Sequence, residues 1–120
     1  MLTFGSTVLG VGDMVRAREF WCAALDYVPK REPRDDWVTL VPRAGTGAGL
    51  SLMPSDEPVQ QHPRLHVDLY ASDQAAEIER LVGLGATRVD WDRYPEDPDF
   101  VILADTEGNL FCVIDAPEVY

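Results

Sequence analysis

The sequence predicts an α+β fold: tandem βαβββ repeats forming a curved mixed or antiparallel sheet that lines a cleft, with the helices outside. Three observations predict it. Two openings, Ser6–Asp13 and His66–Asp73, align at an offset of 60, each a run of strand-favouring residues ending at an aspartate. After each aspartate, apolar residues recur at helical spacing. Two later segments also match in order, Asp36–Leu40 with Asp99–Leu103 and Gly47–Leu52 with Gly108–Val113. The offset drifts to 63 and returns to 61, as loop insertions produce. A lone unit of one helix and a few strands cannot cover both faces of its sheet, whereas two units can. Repeat one therefore covers about residues 4–53, a linker rich in Pro, Asp and Gln about 54–63, and repeat two about 64–115, all within one domain of residues 1–120.

The elements follow in order. In the first strand Thr7, Leu9 and Val11 share one face, which packs under the first helix, and Ser6, Val8 and Gly10 share the other. Asp13 caps the first helix by accepting a hydrogen bond from an otherwise unpaired helical N–H. Ala17, Phe20, Trp21, Ala24 and Leu25 then fall at i, i+3, i+4, i+7 and i+8, marking that helix's buried stripe. Leu50 and Leu52 pack outward from their strand, with Ser51 and Met53 inward. The second opening puts Val67 and Leu69 toward a helix and His66, Asp68 and Tyr70 toward the cleft. Asp73 caps a second helix carrying Ala75, Ile78, Leu81 and Val82, and Gly83 and Gly85 end it. Asp105–Asn109 is a turn, after which Phe111 and Val113 face the helix and Leu110, Cys112 and Ile114 the cleft. The expected core contains Phe20, Trp21, Leu25, Val67, Leu69, Leu81, Phe111 and Val113.

Composition fits such a domain. Of the 120 residues, 46% are apolar and 26% charged, which is ordinary globular usage, and disorder of the whole chain is not expected. No apolar run approaches the roughly 20 residues that span a bilayer, and the start, Met1-Leu2-Thr3-Phe4, lacks the basic-then-apolar pattern of an export signal. Cys22 and Cys112 sit in apolar settings and read as reduced, buried thiols of a cytoplasmic protein. A net charge of −11 argues against nucleic acid and mildly favours a cationic or neutral ligand, although acidic surfaces also serve solubility.

The strand-Asp-helix openings, His66-Val67-Asp68-Leu69 and the turn with its following strand, Gly108-Asn109-Leu110-Phe111-Cys112-Val113, together resemble the vicinal oxygen chelate superfamily. More narrowly, the chain is similar to its small glyoxalase/bleomycin-resistance proteins. The resemblance spans residues 4–115; it departs at Thr106, where the family's turn usually has Pro. In metal-dependent members two ligands from each unit line the cleft, and those positions here are Ser6, Ser51, His66 and Cys112. They supply one good ligand, one soft one and two hydroxyls that divalent ions bind poorly. Asp68 shares the face but lies two residues along, roughly 6–7 Å by strand rise. The expectation is no metal and no cofactor. Metal-dependent glyoxalase or dioxygenase chemistry then lacks its electrophile.

Two functions fit this reading. The first is a small-molecule-binding protein that sequesters a cationic or aromatic metabolite or antibiotic, with Ser6, Trp37, Ser51, Met53, His66, Asp68, Tyr70, Phe100 and Cys112 as candidate ligand contacts. Trp91 and Tyr94 add aromatic surface within an acidic run. The second is a metal-independent lyase or isomerase with His66 as general base, since an imidazole titrates near neutrality, assisted by Asp68 or Tyr70. Cys112 reads as a small core hydrophobe, and His62, between prolines and polar residues, as solvent-exposed. The expected partners are a small-molecule ligand and a second copy of the chain, since relatives of this length usually form homodimers and short sheets leave open edges. Neither nucleic acid nor membrane is expected.

Overall fold

The computed structural model describes residues 1–44 and 46–117. The chain forms two compact units, Met1–Pro58 and Val59–Tyr120, each a βαβββ module. In unit 1 the order is β1 (Ser6–Val11), α1 (Met14–Leu25), β2 (Tyr27–Pro29), β3 (Val38–Pro42) and β4 (Gly49–Pro54). The strands lie as β1-β4-β3-β2, with β1 parallel to β4 and the other pairs antiparallel. Unit 2 repeats the plan with β5 (Val67–Ala71), α2 (Gln74–Leu84), β6 (Thr87–Arg88), β7 (Phe100–Ala104) and β8 (Leu110–Asp115), in sheet order β5-β8-β7-β6. The registers are equivalent: Val8 opposes Ser51 where Asp68 opposes Cys112, and Thr39 opposes Ser51 where Ile102 opposes Cys112.

Both helices start as their sequences predict. Asp13 accepts from the Arg16 N–H at 3.0 Å and Asp73 from the Ala76 N–H at 3.1 Å. The buried stripe of α1 is Ala17, Phe20, Trp21 and Ala24, with Phe20 and Trp21 meeting edge to face at 5.1 Å. Helix α2 buries Ile78 and Leu81. Its end differs from expectation: Gly83 lies inside α2, and Gly85 alone stops it, at φ 122°, a conformation that glycine tolerates best. In the Asp105–Asn109 turn the buried Asp105 carboxylate accepts from the Glu107 and Asn109 N–H groups at 2.8 and 2.9 Å, and Gly108 takes φ 88°.

Of the expected core, Phe20, Trp21, Leu81, Phe111 and Val113 are buried. Leu25, Val67 and Leu69 are half-buried. Val67 and Leu69 sit on β5, an edge strand of its sheet, which pairs within that sheet with β8 alone. Cys22 is half-buried rather than buried. No helix among the described residues is long and apolar enough to cross a membrane.

Candidate functional site

Alternation along three neighbouring strands of unit 2 builds one wall from one face of the sheet. Asp68 on β5 opposes Cys112 on β8, which opposes Ile102 on β7, so these side chains share a face with His66, Phe100, Leu110 and Ile114. Above this wall lies a cavity of about 580 Å³. Its rim comes from two loops, through His62, Pro63 and Arg64 before β5 and Trp91 and Arg93 before β7. Tyr94 straps the second loop to the sheet: the Ile102 N–H donates to its hydroxyl at 2.8 Å, and its ring lies 5.3 Å from Phe100. His62 is not the exposed linker residue that its neighbours suggest. It is half-buried, bonds the Asp92 carboxylate at 2.8 Å and stands edge-on to Trp91 at 5.1 Å. That contact with His62 holds the Asp92 carboxyl below the ordinary carboxylate range.

In the lining of this cavity three side chains converge, two of them exposed (His66 and Asp68) and one buried (Cys112). His66 Nδ1 lies 2.9 Å from Asp68 Oδ1 and 3.8 Å from Cys112 Sγ. The strand-rise estimate that kept Asp68 apart from its neighbours is thus corrected, because Cα spacing along a strand does not limit side chains that lean together. The three donor atoms lie within 4.8 Å of one another, the one such trio found among the described residues. Burial pushes the Cys112 thiol up to about 12, reinforced by the Asp68 charge and a hydrogen bond to that carboxylate. It is a proton-bearing thiol and a weak nucleophile.

The structure distributes the sequence-derived contact residues unevenly. His66, Asp68, Phe100 and Cys112 line the cavity of unit 2. Ser6 and Trp37 line a cavity of unit 1, of about 530 Å³. Ser51 is fully buried, its hydroxyl 2.8 Å from those of both Ser6 and Thr39. Met53 and Tyr70 are exposed and line neither cavity. The sequence reading missed His62, Arg64 and Arg93, which sit on loops where no periodicity marks them. Trp91 was legible as an aromatic within an acidic run.

The family profile described as Glyoxalase-like domain matches residues 6–114. No curated protein matches the sequence. Among solved structures, a variant of the fosfomycin resistance protein FosX from Listeria monocytogenes, complexed with Mn(II) and 1S,2S-dihydroxypropylphosphonic acid, superposes with a TM-score of 0.74 at 14% identity, over 97% of this chain and 91% of that one. TnmS3, an antibiotic-binding protein from a Streptomyces species, gives 0.64 at 17% identity over 95% of each chain. A member of the glyoxalase/bleomycin resistance protein/dioxygenase superfamily from Sphaerobacter thermophilus gives 0.65 at 16% identity, over 95% and 97%.

Proposed function

We propose, for a chain that belongs to the glyoxalase-like domain family of the vicinal oxygen chelate superfamily, that the cavity of unit 2 sequesters an aromatic metabolite or antibiotic without the superfamily's usual metal site. The observation that carries this reading is the cavity itself. At about 580 Å³ it has the size of a small-molecule pocket. Trp91, His62 and Phe100 offer flat surfaces against an apolar wall of Ile102, Leu110 and Ile114, with His66 and Asp68 as polar contacts in the lining. Rings stack on such surfaces in offset or edge-on geometry. The antibiotic-binding TnmS3, of the same fold, lends support to a binding role. The charges in the lining do not select for a cation. One carboxylate, Asp68, shares the lining with two guanidiniums, Arg64 and Arg93.

The donor chemistry fits the usual metal poorly. The Ser6 and Ser51 hydroxyls bond each other, Ser51 also bonds Thr39, and neutral hydroxyls are weak ligands. At the Cys112 position a thiol must first lose a proton that burial and Asp68 retain.

A second reading rests on the His66–Asp68 pair. An imidazole that donates Nδ1–H to a carboxylate is fixed in the tautomer whose Nε2 accepts a proton, the arrangement of a general base. A lyase or isomerase of this kind moves a proton at His66 Nε2, with Asp68 holding the ring.

A thermal-shift screen of aromatic antibiotics and metabolites, with mass spectrometry of the mixtures, tests both. Under the binding reading, a hit raises Tm, is recovered unchanged, and loses most of its effect in Trp91→Ala. Conversion abolished by His66→Ala favours the enzyme. A hit that Trp91→Ala and Phe100→Ala leave untouched contradicts the assignment to this cavity.

A further inference from the structure

The cavity of unit 1 has different chemistry. In a chain of net charge −11, three of the ten Lys and Arg residues, Lys30, Arg31 and Arg34, fall within five positions and line it. Two backbone bonds pin this segment: the Lys30 N–H donates to the Thr39 carbonyl at 2.8 Å, and the Arg34 N–H to the Trp37 carbonyl at 3.0 Å. Arg34 pairs with Asp36 at 3.1 Å, and Glu32 offsets one further charge in the lining. Lys30 and Arg31 make no ion pair with a described residue.

Behind these cations runs a chain of hydroxyls. The Trp37 indole N–H donates to Thr39 Oγ1 at 3.1 Å, Thr39 meets Ser51 at 2.8 Å, and Ser51 meets Ser6 at 2.8 Å. Three hydroxyls carry three protons, and the two bonds among them use two. One O–H is left over. Ser51 is fully buried, where an unspent donor is costly, so the spare proton falls on Ser6 or Thr39, both of which line the cavity. Because the indole can only donate, Thr39 is biased to pass its proton on to Ser51, and Ser51 to Ser6, leaving the Ser6 hydroxyl as the donor aimed outward.

We infer that unit 1 carries an oxyanion-binding site, in which Lys30 and Arg31 supply charge and the Ser6 hydroxyl, polarised through Ser51, Thr39 and Trp37, supplies a directed hydrogen bond. Its ligands are phosphate-type or carboxylate groups, which accept such bonds strongly. The exposed face of Trp37 lies beside them for any ring attached to the anion.

The test is residue-resolved NMR on the full chain, titrated with sodium phosphate or sodium benzoate at constant ionic strength. Saturating shifts are expected at the Trp37 indole N–H and at the Lys30 and Thr39 amides. The anion that saturates identifies the class; saturation with benzoate alone assigns carboxylates. In the double variant Lys30→Gln/Arg31→Gln, whose sites are exposed, affinity should fall by roughly tenfold, the equivalent of about 1.4 kcal/mol. Ser6→Ala should weaken binding while Lys30→Arg retains it. Linear shifts with both anions, or an affinity that the double variant leaves unchanged, overturn the site.

Discussion

The three side chains that meet in the unit 2 cavity, His66, Asp68 and Cys112, limit the chemistry open to it. Cys112 stands where the family resemblance implies a ligand, yet its proton is retained by burial and by the adjacent Asp68 carboxylate. A thiol ordinarily titrates near 8.5, so at pH 8 Cys112 should react with iodoacetamide on the order of a hundredfold more slowly in the native than in the unfolded chain. Labelling followed by mass spectrometry checks this, and equal rates contradict it. The linkage has a definite sign. The folded pKa lies above the unfolded one, so Cys112's contribution to stability is complete below about pH 8.5 and is lost as pH rises from there through about 12. The alkaline fall in unfolding free energy should accordingly be shallower in Cys112→Ala. His66 and Asp68 were both legible as residues facing one way. Their contact was not, because strand periodicity fixes a side chain's face and says nothing of how far it leans along that face.

Among the elements, both helices, their caps and four of the strands after them were legible because each carries a period or a cap. Strands β2 and β6 were not, since three and two residues are too short to show alternation. The sequence marks the β6–β7 loop only as an acidic run carrying Trp91 and Tyr94. Its fixed geometry depends on Tyr94 bonding to β7 and His62 bonding to Asp92, contacts between residues 8 and 30 apart in sequence. Phe111 on the central strand β8 is 1% exposed, so Phe111→Ala should cost about 3–5 kcal/mol. Asp73→Ala removes a helix cap and should cost about 1 kcal/mol. Urea unfolding measures both; a Phe111→Ala loss below about 1 kcal/mol means its face of the sheet is misassigned.

Over the whole molecule, each unit's sheet has four strands, with β1 and β2 at the edges of one and β5 and β6 at those of the other. Open edges are a liability that pairing between chains relieves. We therefore expect a homodimer, held against the self-repulsion of a net charge of −11 and tightening as salt screens it. Light scattering should give about twice the 13.4 kDa chain mass at moderate salt, and a monomer mass persisting to micromolar concentration contradicts it. Metal-independent binding of an aromatic ligand in the unit 2 cavity is tested most directly by titrating a thermal-shift hit into metal-stripped protein. The predicted result is saturable quenching of tryptophan fluorescence, lost in Trp91→Ala, with the same affinity in EDTA as in added zinc or manganese and no stoichiometric divalent ion by elemental analysis. Binding that vanishes in EDTA and returns with one equivalent of zinc, abolished by His66→Ala or Asp68→Asn, would contradict the claim and make His66, Asp68 and Cys112 a metal site.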